Sequence, residues 1–304
     1  MEPITITVND TTIEKMKKYY DSQMVPISDS HYLFKAEPIG CIIEADENNN
    51  VTFSGQNALR EATHWSKAIE SKTSRHVSLD NIYTQHHIGT AETGSLDYLG
   101  PICFVSCYVS EEDVTFLKSL VIKDTLSLTN QEVVDIAKQI KDRLSYSLLI
   151  LDNSHYNKMV QDGLNLANIK SRLFNQATVN VMQKVKQNVD VKVVNHFVSP
   201  KTYFNYLKSE VIVVKDLMFE VNAEKRYMAV LAADILSKYA YLQYYANMTK
   251  SLKINLCRGT GATADVIAAK IATKYGEKIL MKVAKLNFTN TKRVKAILEQ
   301  KKES

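Results

Sequence analysis

The sequence contains no apolar run that approaches the roughly 20 residues needed to cross a bilayer. Its first ten residues, MEPITITVND, lack the basic flank and the apolar core of a secretory signal. With 45% hydrophobic and 23% charged residues among 304, the composition is that of a globular protein that can bury a sizeable core. We therefore expect a cytoplasmic globular protein.

Cysteine is scarce, and its spacing does not suggest a paired framework. The four cysteines are Cys41, Cys103, Cys107 and Cys257, and no CxxC pair occurs. Cys103 and Cys107 share one face of a predicted strand, without a nearby histidine that would complete a zinc site. We interpret all four as free thiols in the interior.

Charge is distributed unevenly along the chain. Residues 1–85 carry eight Lys and Arg against twelve Asp and Glu, whereas residues 251–304 carry twelve against four. The net charges of −4 and +8 favour contact of the C-terminal end with a polyanion. A solvated, lysine-rich helical surface explains the charge equally well.

Local patterns predict two domains of different character. Residues 1–70 predict a helix that starts near Asn9, then three short strands and a second helix. Residues 71–85 lack a clear period and are interpreted as a linker. Residues 86–304 alternate strands and helices and end in a helical tail, which predicts a mixed sheet covered by helices.

Particular segments carry these predictions in the second domain. We expect strands in GPICFVSCYV, YSLLILD, VKVVNHF and VIVV. The helix starts SEED and TNQE each place an acid three residues after a hydroxyl, which is the spacing of a capping box. Before the first of these strands, GTAETGSLDYLGP is interpreted as a glycine-punctuated loop with Glu92 directly after Ala91.

This loop and the segments after it carry a family resemblance. In order, the segments are GTAETGSLDYLGP, VIKDTLSLT, HYNKMVQDGLNLANIKSRLFNQA, VVNHFVSPKTYFNYL, FEVNAEKRYMAVLAADILSKYAYL and RGTGATADVIAAKIATKYGEKILMKVAKLNF. Together they resemble ribonuclease HIII, a bacterial type 2 ribonuclease H. The resemblance implies a small TBP-like N-terminal domain and a ribonuclease H-like domain. It also implies cleavage of the RNA strand of an RNA/DNA hybrid with two Mg²⁺ or Mn²⁺ ions held by carboxylates.

The resemblance places four metal-binding carboxylates at Ala91, Glu92, Asn195 and Glu224. Only Glu92 and Glu224 retain the acid. Ala91 offers no ligand atom, and Asn195 keeps an oxygen without its charge. Because the attraction of a dication scales with the charge of its ligands, we predict weak metal binding or none.

The resemblance also implies residues that contact the substrate, namely Gly94, Ser95, Leu96, Lys123 and Arg258. The family's glycine turn offers backbone groups to the 2′-hydroxyl of RNA, but Leu96 replaces its second glycine. The family's Lys-Lys pair is replaced by Leu126 and Ser127. These scattered changes indicate natural divergence of the whole site.

Other polar residues near these positions have two interpretations each. Asp97 is interpreted as a turn residue that accepts from backbone amides, rather than as a replacement ligand. Asp234 stands where the family has a serine, and it either compensates for Asn195 or has a capping or solvent-facing role. The adjacent His86 and His87 are expected to be surface residues.

Three hypotheses about function remain open. The first is a ribonuclease HIII-like pseudoenzyme, expected to be a monomer, that binds RNA/DNA hybrid or other nucleic acid without efficient hydrolysis. The second is a weak nuclease with a metal site rebuilt around Glu92, Glu224 and Asp234. The third is a protein-interaction module, which the acidic N-terminal domain favours because it suits phosphates poorly. Clustered carboxylates would favour the weak nuclease. The location of the basic face distinguishes the pseudoenzyme from the protein-interaction module.

Overall fold

The chain divides into two compact units, Met1–Arg75 and His76–Ser304. The computed structural model describes residues 3–27, 31–38, 40–55, 57–58, 61–62, 64–65, 82–120, 122, 125 and 127–303. Residues 71–81 of the predicted linker lie outside the described residues, so its boundaries stay a prediction. The two units are therefore described separately.

The N-terminal unit contains an antiparallel sheet in the order β1-β5-β4-β3-β2. Its elements are β1 (Ile4–Thr7), α1 (Asp10–Tyr19), β2 (Met24–Val25), β3 (Tyr32–Ala36), β4 (Ile42–Asp46) and β5 (Asn50–Ser54). The predicted start of α1 is confirmed, because the side chain of Asn9 accepts from the backbone N–H of Thr12. The second predicted helix falls partly outside the described residues, although its Trp65 is buried in this unit's core.

The second unit is built on a mixed sheet in the order β10-β9-β6-β7-β8. The strands are β6 (His87–Thr93), β7 (Ile102–Val109), β8 (Ser145–Leu151), β9 (Val191–Asn195) and β10 (Met218–Glu220). Strands β6, β9 and β10 run parallel to one another, whereas β7 is antiparallel to β6 and to β8. This confirms the mixed sheet expected from the sequence.

Helices cover this sheet and form the C-terminal tail. They are α2 (Glu111–Ser119), α3 (Asn130–Ile140), α4 (Asn153–Gln161), α5 (Leu166–Lys184), α6 (Pro200–Tyr206), α7 (Met228–Leu252), α8 (Ala262–Tyr275), α9 (Leu280–Val283) and α10 (Asn290–Glu303). Helix α7 packs on β6 and β7, and α5 packs on β7 and β8. Both predicted capping boxes are present, at the starts of α2 and α3. No helix in the described part of the chain has both the length and the apolar character of a membrane span.

Two expectations about strands were wrong. The segment VIVV, residues 211–214, is not a strand, since Val211 is fully exposed and the edge strand is instead β10. The predicted loop that holds Ala91 and Glu92 begins as β6, in which Ala91 pairs with Val105 and Glu92 with Phe104. The poor strand propensity of this glycine-containing segment is overridden by pairing with β7 along all of β6 and with β9 over residues 87–90.

Candidate functional site

The parallel pairing of β6 and β9 brings two of the predicted site positions to one edge of the sheet. Thr90 pairs with Val194, and each is followed directly by a site residue, Ala91 on β6 and Asn195 on β9. Neighbouring strands lie roughly 4.8 Å apart. Ala91 and Asn195 therefore stand side by side, as the resemblance implies.

Ala91 lies against apolar surroundings. It packs on the core cluster that includes Val105 of β7 and Ala229 and Ala233 of α7. Its methyl group offers no donor or acceptor to this side of the site.

Glu92 is held by donors from the chain itself. Its Oε1 accepts hydrogen bonds from Ser95 Oγ at 2.7 Å and from Lys170 Nζ at 3.0 Å. The side chain is 12% exposed, so the ion pair with Lys170 is largely shielded from water. Its Oε2 is buried and has no hydrogen-bond partner among the described residues.

Glu224 lies in a 3-10 turn, Ala223–Lys225, which follows β10 after two intervening residues. Glu220 of β10 pairs with Asn195, which brings this turn to the end of β9. The Nδ2 of Asn195 donates to Oε2 of Glu224 across 3.2 Å. The structure therefore joins Asn195 and Glu224 directly.

Asp234 is engaged elsewhere on α7. Its Oδ2 accepts from Lys238 Nζ at 2.9 Å, one helical turn away, and the same ammonium donates to the carbonyl of Thr125. Within the described residues, no group of three or more His, Cys, Asp and Glu side chains is placed to hold a metal ion. Glu92, Glu224 and Asp234 therefore do not form such a group.

The turn after β6 has a backbone that only glycine tolerates at its start. Gly94 has a φ of +100°, and a Cβ there would lie 2.3 Å from the carbonyl oxygen of Pro101. Ser95 is buried against Glu92, whereas Leu96 is 53% exposed. The turn thus presents an apolar side chain to solvent next to the site.

Asp97 fastens this turn to the C-terminal part of the unit. Its Oδ1 accepts from the backbone N–H of Gly259 at 2.6 Å, as the interpretation as a turn residue requires. Arg258 pairs with Oδ2 at 3.3 Å and lies 5.0 Å from the ring centroid of Tyr241, with half of its side chain exposed. Arg258 is therefore positioned at the turn, and the exposed part of its guanidinium is accessible to a ligand.

Lys285 reinforces the same turn from inside. Its Nζ donates to the carbonyl oxygens of Asp97 and Gly100, each at 2.7 Å. Burial lowers the pKa of Lys285 to about 8, although the nearby Asp97 acts in the opposite direction. The turn is therefore held by the backbone N–H of Gly259, which donates to Asp97, and by the side chain of Lys285.

His87 contradicts the expectation that both adjacent histidines lie at the surface. It is fully buried, and its Nε2 accepts from the backbone N–H of Ala229 at 3.1 Å in the first turn of α7. Burial lowers the pKa of His87 to about 4, so the ring stays neutral and can accept this bond. The pairing depends on a contact between residues 142 positions apart, which local sequence does not reveal.

One predicted substrate position, Lys123, lies outside the described residues. The same holds for Leu126, which replaces a lysine of the family.

Comparison with known proteins identifies the family. The ribonuclease HII family model matches residues 88–291. Ribonuclease HIII of Bacillus velezensis is 31% identical over 99% of this chain and 100% of its own length. The chain belongs to the ribonuclease HIII family. Ribonuclease HIII of Bacillus subtilis strain 168 is 30% identical with the same coverage, and residues 4–78 match a domain of unknown function, DUF3378.

Solved ribonuclease HIII structures confirm the fold. The crystal structure of Bst-RNase HIII in complex with Mn²⁺ superposes with a TM-score of 0.70 at 25% identity, covering 98% of this chain and 100% of that one. The two-domain fold expected from the resemblance is confirmed, with a small N-terminal sheet domain, a ribonuclease H-like mixed sheet with flanking helices, and C-terminal helices. The likeness of the N-terminal domain to TBP stays a prediction.

Proposed function

We propose that this ribonuclease HIII family member is a pseudoenzyme that binds RNA/DNA hybrid and hydrolyses its RNA strand poorly or not at all. One observation carries the proposal. Where the pairing of β6 with β9 ends, the two adjacent positions are Ala91 and Asn195, and neither can carry a negative charge.

The donor set at this edge does not fit a pair of divalent cations. A two-metal centre binds the attacking and leaving oxygens of a phosphoryl transfer and needs several anionic ligands to hold both ions. Here Glu92 is paired with Lys170, and the amide of Asn195 donates towards Glu224. A relative, Bst-RNase HIII, is known as a Mn²⁺ complex. For this chain we propose that binding of Mg²⁺ or Mn²⁺ is weak or absent.

Leu96 supports the loss of hydrolysis independently of the metals. By the resemblance, cleavage of a hybrid needs the turn after β6 to approach the 2′-hydroxyl of the RNA strand closely. The exposed isobutyl group of Leu96 adds bulk to that turn, whose conformation Gly94 and Lys285 otherwise hold in place.

Binding is supported by the charge at the C-terminal end. Residues 251–304 carry a net charge of +8, and Lys292 and Lys295 on α10 are exposed. Arg258 adds a half-exposed guanidinium beside the turn. We propose that these cations contact phosphates of a hybrid, in a protein that is monomeric and cytoplasmic.

The rebuilt metal site has less support than the pseudoenzyme. It needs Asp234 next to Glu92 and Glu224, yet Asp234 is paired with Lys238. The protein-interaction alternative rests on the acidic charge of residues 1–85 alone.

Hybrid binding and hybrid cleavage, measured side by side with Mg²⁺ and with Mn²⁺, test the proposal. We expect saturable binding of a labelled hybrid duplex that weakens with salt, together with little or no product. Absence of hybrid binding would contradict the proposal and favour a protein partner. Turnover would favour the rebuilt nuclease site.

A further inference from the structure

Lys170 of α5 places its ammonium where it contacts both an acid and an aromatic ring. Nζ lies 3.0 Å from Oε1 of Glu92 and 4.6 Å from the ring centroid of Phe197. The ring of Phe174 lies 6.0 Å away, and the lysine side chain is only 17% exposed. Because Lys170 is largely shielded from water, a carboxylate and the faces of aromatic rings stabilise its ammonium more than they would stabilise an exposed lysine.

Each retained carboxylate of the site is thus bonded to a donor that the chain supplies. Glu92 has Lys170 and Ser95, and Glu224 has the amide of Asn195. The pairing of Glu92 with Lys170 cancels its charge. A divalent ion that approached Glu92 would meet the positive charge of Lys170 at short range, in surroundings that screen charge poorly.

We propose that Lys170 is a built-in cation that takes the place of a divalent ion at Glu92, so that the site is held together without metal. This inference rests on the proposed function, because a site that needs no hydrolysis tolerates a lysine beside its carboxylate. It also means that restoring the missing carboxylates leaves Oε1 of Glu92 paired with Lys170, so that the ammonium still weakens metal binding there.

The test measures Mn²⁺ binding to the full chain, by electron paramagnetic resonance of the free ion. The starting protein carries Ala91→Asp and Asn195→Asp, and Lys170→Met is then added. We expect Lys170→Met to raise the Mn²⁺ affinity of the double variant by about tenfold or more, because it removes the nearby positive charge. Lys170→Arg keeps the charge and is expected to leave the affinity unchanged.

Lys158→Met on α4 is the matched control, since it removes the same charge from an exposed side chain. We expect it to change the affinity by less than about twofold, because solvent screens an exposed charge. Equal affinities in the Lys170→Met and Lys158→Met proteins would overturn the proposal, and so would Mn²⁺ binding by the unmodified protein as tight as that of the Lys170→Met triple variant. If Lys170→Met fails to fold, as judged by its thermal transition, Lys170→Gln is held to the same criteria.

The hybrid affinity of the unmodified protein in EDTA separates this inference from the proposed function. We expect EDTA to leave the affinity unchanged. A loss of affinity in EDTA that Mn²⁺ restores would show that a metal acts at the binding site, and it would overturn the role of Lys170. A hybrid that fails to bind under any condition would contradict the proposed function, whereas the Mn²⁺ titrations of the Lys170 variants would still decide the inference.

Discussion

Asn195 donates a hydrogen bond to Glu224 across 3.2 Å, at the edge of the sheet where β9 ends. Two carboxylates at this separation would repel each other unless a proton or a cation lay between them. The amide removes that requirement, because it supplies a donor where a second acid would supply only another acceptor. The contact is therefore stable without a metal.

Asn195→Asp is expected to destabilise the protein when no metal is present. The change removes the bond to Glu224 and sets two like charges together, which costs about 1–3 kcal/mol in the free energy of unfolding. Urea unfolding in EDTA measures this loss, and Asn195→Ala gives the part due to the bond alone. We expect Asn195→Asp to be the less stable of the two at neutral pH. Equal stabilities would show that charge repulsion contributes nothing here.

Restoring both carboxylates is expected to restore Mn²⁺ binding without restoring a fast rate of hybrid hydrolysis. Ala91→Asp with Asn195→Asp adds two negative charges, one within β6 and one at the end of β9, so Mn²⁺ should bind measurably although Lys170 still weakens its binding. Hydrolysis should stay slow because Leu96 crowds the turn, and one missing electrostatic contact alone can lower a rate by about 10²-fold. Single-turnover cleavage of a hybrid measures this.

Adding Leu96→Gly to the double variant is expected to increase its cleavage rate. Leu96→Ala is the control that shortens the side chain without adding the backbone freedom of glycine. A double variant that cleaves as fast with Leu96 as without it would contradict the role assigned to this residue.

His87 is expected to make the free energy of unfolding depend on pH in mildly acidic solution. Its pKa is about 4 in the folded protein and about 6.5 in the unfolded chain, so the unfolded chain takes up the proton first as the pH falls. His87 contributes about 3 kcal/mol to the free energy of unfolding. This contribution is fully present above about pH 6.5 and is lost as the pH falls towards 4. His87→Gln can still accept from Ala229 but cannot titrate. We expect unfolding free energies measured between pH 7 and pH 4 to fall less for this variant than for the unmodified protein, and parallel curves would contradict the assignment.

Charge on α10 is expected to set the salt dependence of hybrid binding. Lys292→Gln with Lys295→Gln removes two exposed cations, and the slope of log affinity against log salt falls by roughly 0.9 for every phosphate that is no longer neutralised. The control is Lys15→Gln with Lys18→Gln, which removes two exposed lysines from α1 in the acidic N-terminal unit. We expect a shallower slope for the first pair only. A larger effect of the control pair would place the hybrid on the N-terminal unit.

The sequence predicted those features that depend on neighbours along the chain. Helix starts at Asn9, Ser110 and Thr129 follow from side chains that bond a backbone N–H within one turn, and the structure has each of them. The edge strand was misplaced at residues 211–214 because a run of β-branched residues suits a strand equally well whether or not a partner strand is available.

The candidate site was predictable in position but not in its contacts. The resemblance aligned Ala91, Asn195 and Glu224, and parallel strands bring them together. The pairing of Glu92 with Lys170 joins residues 78 positions apart, and the cap of α7 by His87 spans 142. No local pattern reveals such contacts, because they exist only once the sheet and its covering helices have packed.

Hybrid cleavage by the unmodified protein, with enzyme in excess and with Mg²⁺ and Mn²⁺ tested separately, is the most direct measurement of whether the active site still functions. We predict no cleavage above that of a preparation carrying Glu92→Gln, while both proteins still bind the hybrid. Rapid cleavage that persists in the purified protein and is abolished by Glu92→Gln would contradict the proposal of a pseudoenzyme. It would show that a working metal site has been rebuilt around Glu92.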